Sequence, residues 1–390
     1  MRIGIYGGTF NPPHFGHKNL ALKIKSAAEL DKIIVIPTFT PPHKENKAIV
    51  DGFHRIQMCK LLFDEDYFEV SDIEIKREGK SYTFDTLCEL KKIYPDDELF
   101  LIMGSDMLLS FHKWYRFRDI LTMATLCVAS RENKITVSRL EDYAAETLNK
   151  NAEKGEIVIV NLEPVECSST DVRRNISLGL GTSTFIPGDV DKYIKLNLLY
   201  DSPYMEYKKL LREKLDDFRF YHSLNVAESA KLLAKKYGEN EDKAYLTGLL
   251  HDSMKNANKQ EMLQMIEKGG IILNRVERNN PKLWHAIAGA VFVQVKLGIM
   301  DNDIISAIRY HTTGKSGMTT FDKIIYIADY VSVERDYPDV ETMRFLSLEK
   351  GLDEASLYSL QYSLKSLSEK KMLIHNDSLE FYNELILKLN

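Results

Sequence analysis

Residues 3–17, IGIYGGTFNPPHFGH, decide the fold of the first half of this chain. A short apolar run, Ile3 to Tyr6, ends on Gly7-Gly8, where small residues let backbone N–H groups approach a phosphate that a side chain would block. Thr9 follows, and then His14 and His17 stand three residues apart where a helix begins. The pattern predicts a strand, a glycine turn and a helix after His17. A helix N-terminus carries partial positive charge, and two imidazoles there add donors suited to a phosphoryl transition state. The additional glycines of a dinucleotide-binding fingerprint are absent.

Outward from this block, short apolar runs alternate with longer amphipathic ones. Strands are expected at Ile33–Pro37, Phe68–Ile75, Leu99–Met103, Thr125–Ala129 and Ile157–Leu162, with a helix from Gly52 to Phe63. Strands alternating with helices predict an α/β doubly wound parallel sheet of Rossmann-like kind, with its ligand site beyond the C-terminal strand ends. After about Tyr200 the pattern changes. Asp201-Ser202-Pro203 interrupts the chain, and Phe220–Tyr237, Glu241–His251, Lys282–Leu297, Asp303–Tyr310 and Asp322–Val333 carry apolar residues three and four apart, predicting an all-α domain. The expected domains are 1–200 and 205–390.

Composition sets the outer limits. A chain of 390 residues exceeds one ordinary core. Hydrophobic residues at 44%, charged residues at 28% and a net charge of -5 describe a folded protein with no general attraction to nucleic acid. Cys59, Cys88, Cys127 and Cys167 are too scattered for a zinc-ligand cluster and read as reduced core thiols. No apolar run suits a signal peptide or a bilayer span, so neither membrane nor nucleic acid is an expected partner and the expected compartment is the cytoplasm.

The run His14-Phe15-Gly16-His17 resembles the (T/H)xGH motif of the nucleotidyltransferase superfamily. PTFTPPHK at 37–44, DGFHR at 51–55, EGKSYTFDTL at 78–87, GSDMLLSFHKWY at 104–115 and CSSTDVRR at 167–174 resemble the bacterial nicotinate-nucleotide adenylyltransferases. That resemblance implies direct adenylyl transfer from ATP, with Mg2+, to nicotinate mononucleotide. It implies that His14 and His17 contact the ATP phosphates beside Gly7, Gly8 and Thr9. Ser169, Thr170 and Arg173 would hold those phosphates, Gly104 would bind ATP, and Asp106 would lie near the ribose. Lys44 would bind the mononucleotide phosphate, Trp114 would stack on the pyridine, and Thr83 and Tyr115 would bind its carboxylate. Where family members often carry Arg-Pro-Gly, this chain has Ser130-Arg131-Glu132, so the role of Arg131 stays open.

In the second half, His222 sits in a helix among Leu224, Val226 and Ala227. His251-Asp252 ends the run LTGLLHDSMK, where one backbone point offers an imidazole and a carboxylate able to bridge two ions. Asp329 lies in the apolar run IIYIADY, where a buried carboxylate is costly unless a cation compensates it. Ligands so widely spaced exclude a compact zinc finger. The pattern H…HD…D resembles the HD superfamily of metal-dependent phosphohydrolases. With His285 and His311 added, it is similar to the two-metal hydrolases that split diadenosine tetraphosphate into two ADP.

That second resemblance implies two divalent transition metals, iron foremost. His222, His251, Asp252 and Asp329 would hold one, and His285, His311 and bridging Asp252 the other. Lys255 would reach the substrate phosphate or leaving group, Thr312–Lys315 would form a phosphate-facing loop, and Arg219 would orient a ligand or bind substrate. The expected whole is bifunctional, acting on ATP, nicotinate mononucleotide and diadenosine tetraphosphate or a related nucleotide. Two alternatives are another nucleotide substrate for the helical half, or a metal-binding regulatory or assembly role for it.

Overall fold

The structure, a computed structural model, describes residues 1–39, 49–130, 134–145, 157–161, 167–200 and 202–390. These residues form two compact units. The first comprises Met1–Asn175 and Thr182–Ile194, the second Ile176–Gly181 and Lys195–Asn390.

The first unit is built on strands β1 (Arg2–Gly8), β2 (Lys32–Pro37), β3 (Phe68–Val70), β4 (Glu98–Gly104), β5 (Thr125–Ser130) and β6 (Ile157–Asn161). They form one parallel sheet in the order β3-β2-β1-β4-β5-β6. In β2, Ile33 to Pro37 are all buried, the continuous apolar run expected of a parallel strand covered on both faces. The intervening helices are α1 (Phe15–Ala27), α2 (Gly52–Leu62), α3 (Ile73–Arg77), α4 (Thr83–Ile93), α5 (Ser105–Leu109), α6 (Phe117–Met123) and α7 (Lys134–Tyr143). Then come α8 (Ser169–Leu178) and α9 (Gly188–Leu196). Strand order reverses between β1 and β4, so their C-terminal ends, Gly8 and Gly104, flank the crevice where an open α/β sheet binds ligands.

Two sequence expectations need correcting here. The strand expected over Phe68–Ile75 stops at Val70, and Ile73–Arg77 is helical. The alternation of Ile73 and Ile75 imitates a strand, but Ser71 Oγ accepts from the Ile73 N–H at 3.4 Å and opens a turn. Buried Glu74 then accepts from Thr86 Oγ1 at 2.6 Å, which fixes the short helix. The first helix also begins earlier than expected, at Phe15, with His14 at its N-cap. His17 Nδ1 accepts from the His14 N–H at 3.2 Å, so the second imidazole satisfies a donor that the helix start leaves unpaired.

The second unit takes in the ends of α8 and α9 and, among its described residues, contains helices and connecting loops but no strand. Its helices are α10 (Met205–Lys214), α11 (Asp217–Tyr237), α12 (Glu241–Leu250), α13 (Lys259–Lys268), α14 (Arg275–Asn279) and α15 (Trp284–Leu297). They continue as α16 (Asn302–Tyr310), α17 (Thr320–Val331), α18 (Val340–Phe345), α19 (Leu352–Glu369) and α20 (Asn376–Leu389). Starts are capped by side chains: Asp216 accepts from the Arg219 N–H, Asn240 from that of Lys243, and Asn258 and Thr319 form reciprocal boxes with Glu261 and Asp322. Each such cap contributes about 1 kcal/mol. Helices α11 and α12 approach so closely at Gly248 that an added Cβ would lie 2.9 Å from backbone atoms of Val226 and Ala227. Only glycine permits that approach, and it brings the helix that carries His222 together with the one that leads into His251.

Candidate active sites

The glycine turn of the first unit is held from beneath by Arg55. This buried guanidinium donates to Val50 O at 2.8 Å and Thr9 O at 2.9 Å. His14 is buried and His17 partly so, their ring centroids 3.7 Å apart. The start of α8 meets the same turn: Ser169 Oγ donates to Pro12 O at 2.8 Å, and Arg173 donates to Asn11 O at 2.7 Å and to Thr170 Oγ1 at 3.3 Å. Gly7, Gly8, Thr9, His14 and His17 are thus gathered with Ser169, Thr170 and Arg173, although 157 residues separate Pro12 from Ser169. Gly104 ends β4 and Asp106 lies in the first turn of α5, beside the switch point.

Thr83 opens α4, while Trp114 and Tyr115 follow a short turn of helix at Phe111–Lys113. Their segments meet through aromatic rings: Tyr115 lies 4.9 Å from Tyr82 and 6.1 Å from Phe84 between centroids, and Trp114 lies 5.1 Å from Phe111. Tyr115 is exposed and Trp114 half-buried, so neither is spent wholly on the core. Lys44 and Arg131 fall outside the described residues.

In the second unit the structure brings all six expected ligands together. Three groups, His222-His251-Asp252, His251-His311-Asp329 and Asp252-His285-His311, each place candidate ligand atoms within 4.8 Å of one another. Asp252 is central. Its Oδ2 faces His251 Nε2 at 3.7 Å, and its Oδ1 faces His285 Nε2 at 3.2 Å and His311 Nε2 at 3.4 Å. His222 Nε2 lies 3.0 Å from Asp329 Oδ1. Asp329 is less enclosed than its apolar helix suggests, with 21% of its side chain exposed. Lys255 Nζ sits among the ligands, 2.9 Å from His285 Nε2 and 3.3 Å from Asp252 Oδ1. Arg219 approaches Asp252 Oδ2 at 3.8 Å.

The donor set fits a cation. His251, His285 and His311 each place Nδ1 against a backbone carbonyl, which only accepts, so Nδ1 carries the proton and the Nε2 lone pair points inward. The inward nitrogens of His285 and His311 lie 3.3 Å apart, and buried His251 Nε2 has no hydrogen-bond partner among the described residues. Converging lone pairs with an unpartnered one among them are costly unless an electrophile joins them.

Electrostatics point the same way. Burial pushes His251 down to about 3, outweighing its carboxylate neighbours, so it stays neutral. Burial also holds His285 below its ordinary value despite Asp252. Burial opposes the charge of Asp252, but the surrounding imidazoles and Lys255 hold its carboxyl well below the usual range. For Asp329, His222 and Arg335 overcome burial in the same sense. His222 differs: hydrogen bonds to Asp329 and Glu334 outweigh burial and raise it to about 9. Neutral His251 and His285 beside ionised Asp252 and Asp329 are in the protonation states that metals bind, whereas His222 must release a proton to join them.

Three residues escape a reading of the sequence alone: Arg55 beneath the glycine turn, and Glu334 and Arg335 beside His222 and Asp329. Arg55 stands inside the quoted DGFHR run with no visible task. Glu334 and Arg335 look like an ordinary charged pair after an apolar helix.

Comparison with known proteins divides the chain in the same way. Residues 5–175 match the cytidylyltransferase-like family and residues 219–334 the HD domain family. The nicotinate-nucleotide adenylyltransferase of Bacillus subtilis is 37% identical over 202 residues, spanning 52% of this chain and 99% of that protein. A crystal structure from Clostridium acetobutylicum, described as a "predicted HD superfamily hydrolase involved in NAD metabolism", is 33% identical. It covers 47% of this chain and 97% of its own, with a TM-score of 0.46. Among the described residues no helix is long and apolar enough to cross a membrane. With a glycine-and-histidine turn at the switch point of its parallel sheet and a helical HD domain after it, this chain belongs to the nicotinate-nucleotide adenylyltransferase family.

Proposed function

We propose that the chain makes one phosphate linkage and breaks another. Residues 1–200 transfer AMP from ATP to nicotinate mononucleotide, giving the deamido dinucleotide and pyrophosphate. Residues 205–390 hydrolyse diadenosine tetraphosphate symmetrically into two ADP. The observation carrying the second half of this reading is Asp252, whose two oxygens face different imidazole sets.

In the transfer, a mononucleotide phosphate oxygen attacks the α-phosphorus of ATP, and the bond to the departing pyrophosphate breaks. Mg2+ carried with ATP supplies charge neutralisation. His17 Nδ1 accepts from backbone, so its proton resides on Nε2, a donor for the negative charge that develops on phosphate oxygens. His14 caps α1 and keeps the turn in register, while Ser169, Thr170 and Arg173 hold the ATP phosphates at the start of α8. Lys44 binds the mononucleotide phosphate, Gly104 contacts ATP, Asp106 borders the ribose, and Thr83, Trp114 and Tyr115 select the pyridine and its carboxylate.

For the hydrolysis, His222, His251, Asp252 and Asp329 hold one divalent transition metal and Asp252, His285 and His311 a second, with iron the metal we assign. Bound there, such ions polarise a phosphate and lower the pKa of water. Lys255, already against Asp252 and His285, offers an ammonium to the phosphate or to the departing oxygen. Thr312 Oγ1, 3.3 Å from His285 Nε2, places the loop that follows it at the same mouth.

Chromatography of the products tests the assignment. ADP alone from diadenosine tetraphosphate is expected; AMP with ATP overturns it. Asp252→Ala should reduce hydrolysis to background while pyrophosphate release from ATP and nicotinate mononucleotide persists. Loss of both activities would assign the helical half a regulatory role instead.

A further inference from the structure

Three of the four histidines at the metal centre are oriented alike. His251, His285 and His311 place Nδ1 2.6, 2.7 and 2.8 Å from the carbonyl oxygens of Gly248, Lys282 and Ile308, each three residues earlier on the same helical turn. His222 departs from this pattern. Its Nδ1 lies 2.5 Å from Glu334 Oε1, a side chain 112 residues away.

The difference is chemical. A carbonyl orients an imidazole, whereas a carboxylate also draws on the Nδ1 proton and raises the donor strength of Nε2. Glu334 is held for this task. Ser332 Oγ donates to the same Oε1 at 2.7 Å, and the turn is closed by the Arg335 N–H on Ser332 O at 3.0 Å. Arg344 donates to Val331 O, Ser332 O and Arg335 O at 3.1, 2.8 and 3.2 Å, fastening the turn to α18. Arg335 in turn donates to Asp329 O at 2.8 Å and pairs with Asp329 Oδ1. One turn therefore supports both His222 and Asp329. Among the described residues, Asp252 is the one carboxylate that touches His285 or His311.

We propose that Glu334 is a positioning residue that makes the two metal positions unequal, the position formed by His222 and Asp329 being the tighter. This rests on the dinuclear reading of the centre. The metal-free full chain, titrated anaerobically with Co2+ and followed by absorption and calorimetry, should bind in two resolved steps. In Glu334→Gln, which keeps an acceptor for Nδ1 and removes the charge, the tighter step should weaken about 10- to 100-fold while the weaker step stays put. Unchanged affinities, or equal weakening of both steps, would overturn the inference and leave the dinuclear centre standing. Fewer than two equivalents in the unaltered chain would overturn both. Should the substitution unfold the helical half, the Zn2+-loaded unaltered chain decides by NMR. The His222 Nδ1 proton should resonate farthest downfield of the four, and a position within the range of the other three sinks the idea.

Discussion

His14 and His17 share one turn but carry different burdens. His14 is buried at the helix cap, so replacing it disturbs the turn itself, whereas His17 is partly exposed and, with Nδ1 accepting from backbone, carries its proton on Nε2. Removing one preorganised donor to a developing oxyanion costs about 10²- to 10³-fold in rate. His17→Ala should therefore lower kcat for pyrophosphate release by roughly that factor, while the lost cap on the His14 N–H lowers stability by only about 1 kcal/mol. Lys208 makes a residue-scale prediction of another kind. It is 5% exposed, donates to Ser202 Oγ at 3.0 Å, and has been pushed down to about 8, chiefly by burial and further by Lys195, against the pull of Glu228. Its folded pKa lies below the unfolded one, so the unfolded chain binds the extra proton between about pH 8 and the ordinary lysine value of 10.5, and stability from this group rises with pH there. Lys208→Met should stabilise the protein at pH 7 by up to about 3 kcal/mol. Denaturant titrations of both proteins should show that gain shrinking toward pH 10.5.

At the scale of elements, α20 clasps the loop that follows His311. Ser378 Oγ donates to Thr313 O at 2.7 Å, Glu384 accepts from Ser316 Oγ at 2.5 Å and the Gly317 N–H at 2.6 Å, and Phe381 fills the space beside Gly314. Gly314 has φ +62, and an added Cβ would lie 2.4 Å from the Phe381 ring. Gly314→Ala combines a left-handed backbone with overpacking, for an expected loss of about 2–4 kcal/mol, read as a lower Tm of the helical half in calorimetry. The sequence shows the elements better than their ends. Alternation at Ile73 and Ile75 imitates a strand because period two and a single helical turn cannot be told apart over so few residues. The six candidate ligands are legible because His and Asp stand out in apolar helices. Glu334 is not, because its partner lies 112 residues away and a Glu-Arg pair beyond a helix end is ordinary solvated surface. Lys255 is legible as a cation near the centre, but its contact with His285 is a product of packing between helices.

For the molecule as a whole, the four cysteines carry a consequence. Cys59, Cys88, Cys127 and Cys167 all lie in the first unit, and the helical unit has none. Burial, outweighing Arg55, pushes the Cys59 thiol up, and burial against a weaker pull from Arg2 pushes that of Cys127 up to about 12. Cys167 is buried as well, which leaves Cys88, partly accessible on α4, as the thiol within reach of an alkylating agent. Brief treatment of the native chain with iodoacetamide should give one adduct, located at Cys88 by peptide mass spectrometry; modification that follows another thiol contradicts this. The candidate ligand cluster of the helical unit presents nitrogen and oxygen donors, so soft cuprous ions reaching the protein should favour the thiols of the first unit. Reagents that seek thiols therefore find their targets in the first unit, and the imidazole-carboxylate cluster offers them none.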